Sequence, residues 1–290
     1  MTDSLFADVS YFQNPVDDSY PYEIFSFRSN DGTFQDPNFE HNYRWACAAA
    51  DSGTIACFIV YLYVRTDSAA TAQTHIDMVT ALDGPHPKMI SMLDVESGGN
   101  PGGDGSDWIN KTYWLVADWL GDPQRVIGYA NSSDFSSMWR TRPDGLRMVG
   151  AGYGRNPSLA GQLAHQYTDG GGYGGGLPEG CPPFGNCDMN AANGLSPQEF
   201  AAACGIGTAQ GGFLVALSDT DQATVLAAAN RINGVVLSRV PLPGIDPSAT
   251  PYDAAGVADA NDVRALADAI GNLQASVDAL TEKVSGETKQ

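Results

Sequence analysis

Met89-Ile90-Ser91-Met92-Leu93-Asp94-Val95-Glu96-Ser97 is a short, almost wholly apolar run that ends in two acids. Side chains alternate faces along a strand, so Asp94 and Glu96 point the same way, about 7 Å apart along the chain. Leu93 and Val95 point the other way, toward covering helices. Gly98-Gly99-Asn100-Pro101 then ends the strand. Two carboxylates together on an apolar strand cost desolvation and repel each other, so one of them binds its proton more tightly. That is how a general acid is kept protonated near neutral pH. A solvated strand end is the ordinary account of a random Asp-x-Glu. Here other acids fall at corresponding places in the chain, and that favours a site.

Working outward, strands are expected over residues 5–10, 22–28, 55–64, 89–97, 125–129, 146–152, 163–167 and 186–190, and helices over 39–51, 68–82 and 106–120. The run 55–64 is apolar and aromatic throughout, as in a strand buried on both faces. Gly84-Pro85 stops the second helix, and Ile109, Tyr113, Val116 and Leu120 make one face of the third. Asn30-Asp31-Gly32-Thr33 reads as a turn. Strands alternating with helices predict a parallel sheet with right-handed crossovers. Eight strands closing on themselves make a β/α barrel with its site at the C-terminal strand ends. The expected fold class is therefore α/β, a TIM-like barrel made irregular by reduced helices in its second half. Asp8, Asp94, Glu96 and Asp188 all suit that site, because the eighth strand sits beside the first in a closed barrel.

The 290 residues are 43% hydrophobic, ample for one large domain with something appended. A formal charge of −19 argues against nucleic acid and anionic membranes as partners, and favours a neutral or mixed-charge polymer. No apolar run is long enough to span a bilayer, and Met1-Thr2-Asp3-Ser4 does not open a secretory signal. Five cysteines leave at least one unpaired. Cys181 and Cys187 bracket a Pro-Pro-Phe-Gly loop, and a bridge and two reduced thiols are equally open there. Cys47 and Cys57 are a weaker pair. Neither the cysteines nor His41, His75, His86 and His165 have metal-ligand spacing, so no metal or other cofactor is expected.

Several ordered motifs resemble glycoside hydrolase family 25, the Chalaropsis-type or phage-type lysozymes, over roughly residues 1–207. Phe6-Ala7-Asp8-Val9-Ser10-Tyr11-Phe12-Gln13 resembles the family's opening Asp-x-Ser-x-x-Gln strand. Phe25 to Thr33, then Asp36 and Asn42, resembles its second strand and following helix. Leu93-Asp94-Val95-Glu96 is similar to its Asp-x-Glu, Ile127-Gly128-Tyr129 to its fifth strand, and His165-Gln166-Tyr167-Thr168 with Cys187-Asp188-Met189-Asn190 to its closing motifs. The chain departs from the pattern in the Gly- and Pro-rich segment 170–185, and in lacking a Gly after Gln13.

The resemblance implies an N-acetylmuramidase that cleaves the β-1,4 bond between MurNAc and GlcNAc in peptidoglycan. Glycoside hydrolysis needs a protonated acid for the leaving oxygen and a negative group for the oxocarbenium-like transition state. Glu96 is the implied acid, with Asp94 ionised beside it. Asp94 then either polarises the N-acyl group of the sugar for attack on the anomeric carbon, or an enzyme carboxylate, Asp94 or Asp188, forms a covalent intermediate. Asp8 and Asp188 fix sugar hydroxyls and set charge. Gln166, Tyr63, Tyr129 and Tyr167 are candidate substrate contacts, with core or rim packing as the plain account of the tyrosines. Arg28 is a further candidate substrate contact, with a structural pairing to Asp8 or Asp188 inside the barrel as its plain account.

Beyond residue 207 the resemblance ends. Residues 208–256 read as a helix, opened by Ser218 and stopped by Asn233-Gly234, and a Pro-rich linker from Pro241 to Pro251. In residues 257–290, Val263, Leu266, Ile270, Leu273, Val277, Leu280 and Val284 keep a 3,4 spacing, the seam of a coiled coil. A homo-oligomer through residues 263–284 is expected, dimer or trimer, in preference to a helix packed on its own barrel. A linker and coiled coil with no wall-binding repeats indicate an attachment device. The expected setting is thus a phage virion, in contact with other tail proteins and acting on the bacterial cell wall. The alternatives are a free endolysin, or a structural or glycan-binding tail subunit without turnover.

Overall fold

The computed structural model describes residues 3–207. The helix, linker and heptad seam expected beyond residue 207 lie outside the described residues.

Eleven strands and five helices follow in order: β1 Leu5–Val9, β2 Ile24–Asp31, β3 Phe34–Gln35, α1 Phe39–Asp51, β4 Cys57–Tyr63, α2 Ser68–Thr80, β5 Met89–Asp94, α3 Ser106–Leu120, β6 Val126–Asn131, α4 Ser132–Ser137, β7 Met148–Ala151, β8 Gln162–Thr168, β9 Gly180–Cys181, β10 Gly185–Asn186, β11 Asp188–Ala191 and α5 Pro197–Ala203. The main sheet runs β1-β11-β8-β7-β6-β5-β4-β2-β3, and β1 also pairs with β2. That extra pairing closes eight strands into a barrel, with β3 hung outside on β2.

The barrel is not all parallel. β1, β2 and β4 to β8 run together, whereas β11 is antiparallel to both β8 and β1. The reason lies between β8 and β11. A parallel return needs a crossover long enough to carry the chain back along the barrel. Here the connection is a glycine-rich loop and the small β9–β10 hairpin, with no helix. The chain stays at one end and re-enters reversed. The turn after β2 also falls later than residues 30–33. β2 runs to Asp31, and Gly32, in the left-handed region at φ 57°, turns it into β3.

The inward column of each strand is apolar below and polar above. Phe6 leads to Asp8, Ile90 and Met92 to Asp94, Ile127 to Tyr129, and Ala164 to Gln166. Below, α5 plugs the barrel: Phe200 packs on Phe6 with ring centroids 5.8 Å apart. The outward faces pack under helices, with Leu62, Leu93 and Val95 against Ile109, Tyr113 and Val116 of α3. Fully burying one such side chain stabilises the fold by roughly 1.5–3 kcal/mol. His75 of α2 ties that layer to the sheet through Ser29 (2.8 Å) and Ser91 (2.9 Å). Burial drives its pKa down to about 3, so it stays neutral. Helices thin out in the second half as expected: α4 has six residues, and none separates β7 from β8.

Candidate active site

The polar tops of the strand columns converge at the barrel mouth. A narrow pocket of about 30 Å³, room for about one water molecule, is lined by Asp8, Tyr61, Met92, Asp94, Glu96, Tyr129, Gln166 and Asp188. All four acids singled out in the sequence line it. Asp188 gets there because β11 is reversed, so that its first residue sits at the end where the other strands finish. Asp8 and Asp188 are direct cross-strand partners. A larger groove of about 690 Å³ opens among residues 142–148 and 159–163, at the starts of β7 and β8. It gathers Arg142, Asp144 and Arg147 but no paired carboxyls, so the chemistry points to the smaller pocket.

Burial and mutual repulsion raise the pKa of these acids. Asp94 is buried, and its carboxyl is raised well above the usual range by that burial, then by Glu96 and Asp8. Glu96, just past the end of β5 and half-buried, is also raised, by burial first and then by Asp134, while its hydrogen bond to Asp94 and the charge of Arg65 act against this. The two carboxyls are hydrogen-bonded to each other and both are raised, with Asp94 the deeper of the two. One buried oxygen, Asp94 Oδ1, accepts no hydrogen bond from the described residues. Asp8 is raised well above its usual value by burial and by Asp188. Asp188 is pushed up to about 7, again chiefly by burial, with Gln166 hydrogen-bonded to it in opposition.

A carboxyl whose folded-state pKa lies above its unfolded one penalises stability once the unfolded chain ionises. For Asp188 the penalty is absent below about pH 4, grows toward pH 7, and is complete above. Asp188→Asn is therefore expected to stabilise the barrel at neutral pH by about 1–3 kcal/mol, allowing for its partial solvent contact. The gain should vanish near pH 4. Urea melts at the two pH values check it; an equal gain at both would contradict the electrostatic cause.

The other sequence candidates separate. Gln166 is buried and accepts a hydrogen bond from the Tyr129 hydroxyl, so both are fixed in the pocket wall. Tyr167, its neighbour, necessarily takes the opposite face. It lies in the outer core, and its hydroxyl donates to the Pro178 carbonyl at 2.8 Å. Tyr167 is a support under the following loop rather than a substrate contact. Tyr63 is at the rim, its hydroxyl donating to the Gly98 carbonyl at 2.8 Å and Arg65 covering its ring at 4.3 Å. Arg28 does not pair with Asp8 or Asp188. Its Nε donates to Asp36 Oδ2 at 3.0 Å, because the β2–β3 hairpin brings Asp36 back beside it. All five cysteines are free. Cys181 and Cys187 are hydrogen-bonded thiols, and Cys47 and Cys57 are unpaired.

Three neighbours escaped the sequence reading. Tyr61 shares the inward face with Tyr63 two residues on, so strand parity was enough to place it. Asp134 receives Ser97 N–H at 3.0 Å and Asn131 Nδ2 at 2.7 Å, which braces the loop behind Glu96. Tyr153 is near enough for Asp188 and Glu96 to help push its hydroxyl pKa up, after burial. Among the described residues no three His, Cys, Asp or Glu side chains are grouped to hold a metal, and no helix is long and apolar enough to cross a membrane.

The chain is similar in structure to a family 25 glycosyl hydrolase from Bacillus anthracis, with a TM-score of 0.54 and 18% identity over 69% of this chain and 93% of that one. It is also similar to GHIP, a glycosyl hydrolase 25 of Streptococcus pneumoniae described as a virulence factor participating in host cell invasion. There the TM-score is 0.53, at 14% identity over 70% and 92% of the two chains. The likeness is one of fold: the barrel is similar to that of these family 25 glycosyl hydrolases. No protein-family model matches the sequence. The chain is 59% identical over 232 residues to an uncharacterized Mycobacterium tuberculosis protein, Rv3766, covering 80% of this chain and 84% of the relative. It belongs to the family of that protein. The match is longer than residues 1–207, so the relatives share sequence beyond the barrel.

Proposed function

We propose that the barrel is a peptidoglycan hydrolase, an N-acetylmuramidase that cleaves the β-1,4 bond between MurNAc and GlcNAc. The observation that carries this reading is the convergence of Asp8, Asp94, Glu96 and Asp188 on one pocket at the barrel mouth, with the Asp94 and Glu96 carboxyls both raised; one proton shared by that pair is the reading we draw from it. Substrate entry removes water from the half-exposed Glu96 more than from the already dry Asp94, and so moves the shared proton outward to Glu96. Asp94, now ionised, accepts the acetamido N–H. The acyl oxygen bonds to the anomeric carbon as the glycosidic bond breaks, and the leaving oxygen takes the proton of Glu96. Water then attacks the anomeric carbon of the oxazolinium, Glu96 takes its proton, and the bond from that carbon to the acyl oxygen breaks, which restores the N-acyl group. Asp8 and Asp188 hold sugar hydroxyls.

Both this route and a covalent route through Asp94 or Asp188 retain stereochemistry, so an inhibitor separates them. A thiazoline analogue of the N-acyl sugar is expected to inhibit competitively. Trapping of a 2-fluoro glycosyl group on Asp94 or Asp188, observed by mass, would favour the covalent route instead. Turnover is expected to fall on the alkaline side as the pair loses its shared proton. A pH–rate profile unchanged in Asp94→Asn would contradict the shared proton.

The heptad spacing over residues 263–284 supports a homo-oligomer and an attached, phage-tail setting, with residues 1–207, 208–256 and 257–290 as successive parts. The Mycobacterium relative supports a second setting, a bacterial wall hydrolase carried on no particle. Detection of the protein in purified virions decides between them.

A further inference from the structure

The segment after β8 is where this chain departs most from a plain barrel. Six glycines surround Tyr173 in Gly170-Gly171-Gly172-Tyr173-Gly174-Gly175-Gly176. Such a loop has more conformational freedom to lose on ordering than any other composition. Here Glu179 makes most of the bonds that pin it, beside an Asp169 carboxylate that accepts the Gly171 N–H at 2.9 Å. Glu179 accepts hydrogen bonds from the Thr168 hydroxyl and from the backbone N–H groups of Gly172 and Gly174. Two of the glycines make room for this clasp. A Cβ on Gly174 would stand 2.5 Å from the Leu177 carbonyl oxygen and 2.8 Å from Glu179 Oε1. A Cβ on Gly171 would stand 2.6 Å from Asp169 Oδ1 and 3.2 Å from the Tyr173 ring.

The clasp lays Tyr173 on Tyr153, with ring centroids 5.5 Å apart and planes 26° apart. The two rings remain 49% and 43% exposed, so the stack presents open aromatic surface to solvent. Tyr153 follows β7 at the barrel mouth and senses the charges of Asp188 and Glu96. A flat, immobilised aromatic surface beside the acids costs little ordering on binding. Asp169 and Asp188 next to it repel the carboxylates of a stem peptide but not a neutral sugar.

We propose that the Tyr153–Tyr173 stack, clasped by Glu179, is a sugar-binding subsite that holds a pyranose ring of the glycan strand next to the bond being cleaved. The proposal rests on the muramidase reading of the same cleft. Tyr153 and Tyr173 touch the sugar; Glu179 is a positioning residue that acts through Tyr173.

The test uses the full chain carrying Glu96→Gln and a peptide-free GlcNAc–MurNAc tetrasaccharide whose lactyl carboxyls are capped as amides, with affinity measured by calorimetry. Tyr173→Ala is expected to weaken binding about 3–10-fold, and Tyr173→Phe to keep it, since the ring face and not the hydroxyl is used. In the active chain, Glu179→Gln and Gly174→Ala should raise KM with kcat nearly kept, because the acids themselves are untouched. Melting temperatures of these variants separate a loosened loop from a damaged barrel. Binding that is equal in Tyr173→Ala and its parent, while the wild type still releases muramic reducing ends, overturns the subsite alone. No binding by the parent and no turnover by the wild type overturns the subsite together with the muramidase reading.

Discussion

Glu96→Gln is expected to lower turnover on peptidoglycan by roughly 10²–10⁴-fold, the usual contribution of a positioned general acid, with the fold intact. Glutamine keeps the shape of the side chain and loses the transferable proton. The side chain is half-buried and no backbone group depends on it for a hydrogen bond among the described residues, so a folding defect is not expected. Its carboxyl is raised by burial and by Asp134. Removing the ionisable group should therefore leave stability at neutral pH unchanged or slightly higher. Functional sites commonly show that trade, in which stability rises as activity is lost. Circular dichroism and a thermal melt beside the rate assay check both halves. A variant that keeps wild-type turnover would contradict the assignment of Glu96 as acid.

Asp36→Ala is expected to cause the largest loss of stability, about 3–5 kcal/mol, because it strands a buried charge. Arg28 and Asp36 side chains are only 9% and 1% exposed, and their contact is 3.0 Å. One guanidinium nitrogen of Arg28, Nη2, already lacks a partner. Asp36 further accepts the N–H of Tyr11 at 3.0 Å and of Asn38 at 2.9 Å, which fixes the loop after β1 and the approach to α1. With the carboxylate gone these donors and the arginine are unpaired together. For a barrel of this size the loss corresponds to a melting temperature lower by roughly 10–15 °C. Replacing Arg28 by methionine in the same chain should recover part of the loss, since the stranded charge goes with it. A melt for Asp36→Ala within 2–3 °C of wild type, a change of about 1 kcal/mol, would contradict the account.

Much of the barrel was legible because strand parity and helix periodicity are local. The inward columns that end in Asp8, Asp94 and Gln166 follow from alternation alone, and α1 and α3 have the residues expected of them. The reversal of β11 was not legible. It depends on what fails to form between residues 169 and 187, and a missing crossover helix leaves no positive signal. The Arg28–Asp36 pair was hidden by placing the turn at residues 30–33. Once β2 runs to Asp31 and pairs with β3, Asp36 returns beside Arg28. Tyr167 was assigned to the cleft with Gln166, although neighbours on a strand cannot both face inward. That Asp94 lies deeper than Glu96 follows from where β5 ends, and sequence does not encode depth. The Tyr153–Tyr173 stack is a meeting of two loops, and no spacing announces it.

The most direct measurement is the chemical identity of new reducing ends released from purified peptidoglycan, wild type beside Glu96→Gln. The account predicts muramic acid reducing ends, by mass, from the wild type and almost none from the variant. Glucosamine reducing ends, or equal release by both proteins, would contradict it.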